Sequence, residues 1–268
     1  MPANAAPADL HPSAPGTIGI FDAGIGGLPL AHVLRQRAPQ HRIVYLGDAA
    51  RRPYGPQPAA RVREYVAEAE RFFVDHGCDV WVIACNTASV VAAESVQHTI
   101  PVIDMLAAVR SSVDGAPAGP VGVLATAGTV ASGAVPEVLH DREVHQLATE
   151  ELLRLAEESI VDDRVDRLSA EAMHQLRALG CTSAVLACTD FTCILGPLQA
   201  AAHDCLLIDP LESAARLALD HLAHADRRGP AAAADLWCLT GTHPVDVVHY
   251  AAQTYGIQIP SISYVELS

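Results

Sequence analysis

Basic charge is scarce in this chain. Against 31 acidic residues stand 17 basic ones, a formal charge of −14 over 268 residues. That balance argues against the basic face with which proteins grip nucleic acid; it favours solubility and says little else. Long apolar runs are missing too, and no stretch reaches the roughly 18–20 residues that a membrane-spanning helix needs. The seven cysteines include no CxxC pair and no short disulfide spacing, and their odd number suits a reducing cytoplasm. Cys188 and Cys193 lie close together, but no second ligand pair accompanies them, so no metal site is expected. The first 16 residues lack the basic start and apolar core of a signal peptide. Rich in Ala and Pro, they read as a disordered leader.

Apolar residues, in contrast, are abundant: half the chain is hydrophobic and 18% is charged. This is a globular composition, long enough for one large or two modest domains. The most telling stretch is Val80-Trp81-Val82-Ile83-Ala84-Cys85-Asn86-Thr87. An unbroken apolar run is expected of a parallel strand buried on both faces. It stops at a thiol, an amide and a hydroxyl, and the carboxyl ends of parallel strands are where ligands bind in open α/β sheets. The pattern occurs twice. Residues 77–87 align without a gap to residues 180–190, and both copies end in Ala-Cys followed by two polar residues. Two half-structures, each offering one cysteine from a strand end, predict a pseudo-symmetric site.

The rest of the chain fits alternating strands and helices. Strands are expected at 17–21, 42–47, 101–104, 121–125, 205–209, 236–240 and 262–266, besides the two that carry Cys85 and Cys188. The strongest helix runs from about 58 to 76, with Val62, Tyr65, Val66, Ala69, Phe72 and Phe73 on one stripe. Further helices are expected at about 87–97, 149–180 (interrupted near 161–163) and 210–224. The linkers are 114–120 and 228–234, rich in Gly, Pro and Ala. Roughly nine strands imply an α/β fold of two similar doubly wound domains with mainly parallel sheets and a cleft between them. The expected division is 17–108 plus 210–268 for one domain and 109–209 for the other.

Several loops join such strands to helices. Asp22-Ala23-Gly24-Ile25-Gly26-Gly27 has neither the G-x-G-x-x-G spacing nor a P-loop lysine, so a nucleotide site is not expected. Asp22 either caps the next helix or serves the site. Residues 126–133, with Thr126 and Thr129, mirror that loop in the second half. Arg51-Arg52-Pro53-Tyr54-Gly55-Pro56 reads either as a solvated turn or as a loop whose amides and Tyr54 meet a carboxylate. The acidic run at Glu150, Glu151, Glu157 and Glu158 reads as a solvated face from which one member projects into a cleft.

Two facing thiols suit one kind of chemistry. If Cys85 and Cys188 flank a carbon with one removable proton, a thiolate takes that proton and the opposite thiol returns one, inverting the centre. The carbanion then needs aimed donors, which Asn86, Thr87, Thr189 and the loop amides offer. No pyridoxal or metal is required in principle. The other five cysteines read as space-filling core.

These motifs carry a resemblance. Residues 21–28, 45–48, 51–55 and 84–88 resemble those of the glutamate racemase family, within the aspartate/glutamate racemase superfamily, and residues 186–190 resemble its second cysteine motif. The resemblance implies a cofactor-independent racemase with its active site between two α/β domains and a small acidic amino acid as substrate. Cys85 and Cys188 would be the acid/base pair, and Asp22 would assist Cys85. Asn86, Thr87 and Thr189 would bind the amino-acid end, with Tyr54 and Gly55 on the side-chain carboxylate. Ala23, Pro53, Thr126 and Thr129 complete the expected substrate site, and the family's second-domain glutamate falls at Glu157. The family pattern differs at three places: Ser where this chain has Ala23, His where it has Asp190, and Pro where it has Thr192. A carboxylate at 190 would disfavour a neighbouring thiolate by repulsion, or act as its proton acceptor as Asp22 does for Cys85.

The leading expectation is racemisation of glutamate or a related acid, for cell-wall or secondary-metabolite synthesis. Ala23 and Asp190 motivate a second, in which the scaffold isomerises, epimerises, decarboxylates or cyclises another dicarboxylate or amino acid. A third is a binding protein without turnover, against which the presence of both cysteines counts. A homodimer is compatible with all three.

Overall fold

The computed structural model describes residues 15–93, 98–160, 162–224, 234–243 and 245–267. Most of the expected leader and of the 228–234 linker, the end of the 87–97 helix and Val161 lie outside these residues.

Among the described residues, ten strands form two parallel sheets. The first uses β1 (Thr17–Asp22), β2 (Arg42–Gly47), β3 (Val80–Ile83) and β4 (Val102–Asp104). The second uses β5 (Val121–Ala125), β6 (Val144–Ala148), β7 (Ser183–Ala187) and β8 (Leu206–Ile208). Two late strands, β9 (Leu236–Leu239) and β10 (Ser263–Tyr264), extend the first sheet beyond β2. The orders are β10-β9-β2-β1-β3-β4 and β6-β5-β7-β8. Stripped of β9 and β10, they are one pattern written twice. The strand missed by the periodicity is β6: its sequence Val-His-Gln-Leu-Ala is partly exposed throughout, as befits an edge strand.

Each sheet is covered on both faces, which explains the near-continuous apolar strands. In the first, Ile18, Ile20 and Val82 face one cluster; Phe21, Trp81 and Ile83 face the other with Val62, Val66, Phe72 and Phe73 of the helix Ala59–Asp75. In the second, Leu124 and Leu186 pack with Met173 and Leu176, while Val123 and Val185 pack on Val109 and Val135. The central strands share a further device. A Cβ at Gly19 of β1 would lie 2.6 Å from the Phe73 ring, and one at Gly122 of β5 would lie 2.6 Å from Leu176. Glycine lets a helix side chain settle directly on the middle of each sheet.

Register fixes the site. Phe21 lies opposite Ile83, so Asp22 and the segment leading to Cys85 leave the first sheet side by side. Ala125 lies opposite Ala187, so Thr126 and Cys188 leave the second sheet the same way.

Candidate active site

A cavity of about 400 Å³ lies where the carboxyl ends of the two sheets meet. Asp22, Ala23, Cys85 and Thr87 line it from the first half, and Thr126, Cys188, Thr189 and Asp190 from the second. Pro53, Tyr54 and Gly55 form another wall, and Glu157 closes it from the helix Glu150–Glu157. Both sulfurs thus border one space large enough for a small acid.

The turn after β1 is shaped by contacts that tolerate no side chain. A Cβ at Gly47 would fall 2.1 Å from the Gly24 carbonyl, and one at Gly26 would fall 2.4 Å from the Thr189 hydroxyl. The Tyr45 hydroxyl donates to the Gly24 carbonyl at 2.9 Å. The glycines of this turn therefore serve close packing of backbone on backbone, and of one half on the other. Across the same joint, Thr189 donates to Asp22 Oδ2 at 3.0 Å, and the Thr87 and Thr126 hydroxyls are 3.3 Å apart.

Asp22 does not cap the next helix, whose N-terminus has no side-chain cap, and it lies 4% exposed beside the cavity. Burial pushes its pKa up; the N–H of Gly24, 2.8 Å from Oδ1, and the Thr189 hydroxyl oppose that shift. Cys85 follows β3 and opens the helix Asn86–Ala93. Its thiol is pushed strongly up by burial and by the charge of Asp22, while the N–H groups of Ala88 and Ala23 pull the other way. Burial wins: the resting group is a thiol.

Cys188 ends β7 and precedes a short 3₁₀ segment, Thr189–Ile194. Its Sγ lies 3.6 Å from Asp190 Oδ2, so the residue that departs from the family pattern is the one in contact with the sulfur. Burial and the Asp190 carboxylate both hold this thiol protonated. Asp190 itself is pushed up to about 8, by burial and then by the charges of Asp22 and Glu157. Glu157 is also raised, chiefly by burial.

Other expected residues are placed differently. Asn86 is buried and outside the cavity lining, with its side-chain N–H group unpartnered. Thr129 is buried under Thr126, whose hydroxyl donates to it at 3.1 Å. The Tyr54 hydroxyl is not free for substrate, because it donates to the buried Asp48, so this residue offers the cavity only its ring and backbone. Cys193 does more than fill space: the Tyr250 hydroxyl meets its sulfur at 2.9 Å.

Sequence reasoning did not single out Arg52, His243, Glu150 and Arg154 as site residues, although all four line the cavity. His243 arrives from the loop after β9, and burial pushes it down to about 4, so it is neutral at physiological pH. Among the described residues no cluster of three or more His, Cys, Asp or Glu is arranged to hold a metal. No described helix is long and apolar enough to cross a membrane.

Comparison with known proteins agrees with this geometry. The Asp/Glu/Hydantoin racemase family model matches residues 30–218. The chain belongs to this family. Among its relatives, the glutamate racemase of Corynebacterium glutamicum is 34% identical over 223 residues, covering 80% of this chain and 82% of that protein. That of Corynebacterium diphtheriae is 37% identical over 194 residues, 70% of this chain and 73% of the relative. Among solved structures, glutamate racemase isoform RacE1 from Bacillus anthracis superposes with a TM-score of 0.83 at 28% identity, covering 94% of this chain and 98% of that one. The Francisella tularensis glutamate racemase, solved with D-glutamate, gives 0.81 at 27% identity, covering 95% and 98%. The racemase family thus shares the α/β architecture with mainly parallel sheets described above.

Proposed function

We propose that this protein interconverts L- and D-glutamate by a two-base mechanism, with Cys85 and Cys188 on opposite faces of the α-carbon. The observation that carries the reading is that equivalent strands of a duplicated scaffold deliver the two sulfurs to one cavity. In one direction the Cys188 thiolate takes the α-proton and the Cys85 thiol donates its proton to the opposite face. The reverse direction exchanges these roles. Each turnover leaves the first sulfur protonated and the second as thiolate, and solvent protons then restore the starting state.

Both sulfurs rest as thiols, so each needs an acceptor. Asp190, in contact with Cys188, takes that thiol's proton; Asp22 serves Cys85. Thr87, Thr126 and Thr189 hold the amino-acid end, with Asn86 behind them, and the Pro53–Gly55 segment faces the side-chain carboxylate. Ala23 supplies an apolar wall, and Thr129 fixes Thr126. We divide the chain as 17–108 plus 210–268 and 109–209, with free glutamate in the cytoplasm as substrate. A homodimer is compatible with this reading, and light scattering tests it.

Chiral chromatography of L-glutamate incubated with the protein tests the reading. The expected outcome is D-glutamate accumulating toward an equal mixture, since enantiomers have equal free energy, and its loss in Cys85→Ser and Cys188→Ser. No D isomer from wild type contradicts it. Asp190 in contact with Cys188 favours one alternative, a different acid turned over on the same scaffold; activity on another amino acid with glutamate inert would establish it.

A further inference from the structure

Arg51 and Arg52 are adjacent, yet the fold uses them in opposite ways. Arg51 is spent internally: it donates to Asp48 at 2.6 Å, pairs with Glu68 and stacks 3.9 Å above the Tyr65 ring. Arg52 lines the cavity and makes no hydrogen bond or ion pair with any described residue. The other cation of the cavity wall, Arg154, is paired with Glu158 at 3.0 Å.

Asp22, Glu157 and Asp190 all feel the charge of Arg52, but none lies within ion-pair distance. Asp22 already accepts from Gly24 and Thr189, and Asp190 contacts Cys188. A guanidinium kept only to balance these charges would be expected to pair with one of them. Instead its planar fork of N–H donors, the kind of group that binds a carboxylate bidentately, has no described partner at a cavity that Pro53, Tyr54 and Gly55 also line. The position of its stem agrees, because Arg52 Cδ passes 3.6 Å from where a Cβ on Gly24 would sit, so the side chain crosses the turn after β1. Ala23 in that turn lines the same cavity and offers a carboxylate no side-chain donor.

We infer that Arg52 is a specificity-determining residue, whose guanidinium receives the side-chain carboxylate of the substrate and selects acidic over neutral amino acids. The inference rests on the racemase reading and deepens it. It adds a named side chain to the end of the site remote from the α-carbon, where the Pro53–Gly55 segment otherwise offers ring and backbone.

The test compares wild type with Arg52→Met and Arg52→Lys, in racemisation of L-glutamate and in calorimetric binding of glutarate, a dicarboxylate without an α-amino group. Loss of a charge-assisted pair predicts that Arg52→Met raises KM for glutamate and weakens glutarate binding by about 10- to 100-fold. Its kcat should change far less, and Arg52→Lys should recover part of the affinity. Thermal melts of all three proteins check that the fold is intact. Unchanged KM and glutarate affinity in Arg52→Met would overturn the inference, as would a loss confined to kcat, which would mark a charge-balancing role. Wild type inert toward glutamate would instead overturn the racemase reading, an outcome distinct from any result on Arg52.

Discussion

The two halves of this molecule present the same atom by the same device and then surround it differently. On the Cys85 side the neighbouring carboxylate, Asp22, is held by two donors, one of them the Thr189 hydroxyl of the other half. On the Cys188 side the carboxylate is Asp190, two residues along the same segment, touching the sulfur and pushed up to about 8. Strand order and register are repeated, while the carboxylates beside the sulfurs are not. Duplication supplied the geometry, and local hydrogen bonding tuned each end separately. One half has a carboxylate held in place by a hydroxyl of the other half; the other has a carboxylate pushed up to about 8.

The largest expected effect removes the shared feature. Cys85→Ser and Cys188→Ser should each lower racemisation by at least about 10³-fold, because in the proposed mechanism each deletes one of the two acid/base groups. Chiral chromatography checks this, and equal activity in either variant would break the symmetry claim. Next comes Asp190→Asn. With the acceptor active only as the carboxylate, wild-type kcat/KM in the direction that uses Cys188 as base should rise as pH increases through about 8. The variant should lose that limb and fall about 10- to 100-fold on its alkaline side, as pH–rate profiles in both directions would show.

A smaller effect is expected at the joint. Gly26→Ala pushes a methyl into the Thr189 hydroxyl and disturbs its bond to Asp22. Overpacking of this kind costs about 1–3 kcal/mol, measurable by denaturant unfolding, together with a weaker kcat. The smallest concerns stability alone. The folded pKa of Asp190 lies above that of a free aspartate, so the folded state binds more protons than the unfolded one between about pH 4 and 8. Stability from this group is therefore present at low pH and lost as pH rises through about 8. Asp190→Asn should melt higher than wild type at alkaline pH, by about 2–4 °C per kcal/mol, and show no such gain near pH 4.

Much of this was legible in the sequence. Asp22, Cys85 and Cys188 stand at the ends of apolar runs, and a buried parallel strand announces both its interior and its exit. The edge strand β6 was not legible, because a partly exposed strand containing His145 and Gln146 lacks the apolar signal. Nor was the division of labour between Arg51 and Arg52: Glu68 and Tyr65, far along the chain, claim one and leave the other open. The same holds for Tyr54, whose hydroxyl is taken by Asp48, and for His243, carried to the cavity by the late strands. Local pattern reports where a strand ends. It does not report which polar atoms are already used when the halves close.

The most direct test of two thiols on opposite faces is isotope exchange at early times in D₂O, starting from L-glutamate. The account predicts deuterium at the α-carbon of the D-glutamate formed and nearly none in the recovered L-glutamate, since the base that takes the proton is not the acid that returns one. Deuterium entering recovered substrate as fast as product would place one base on both faces and contradict it.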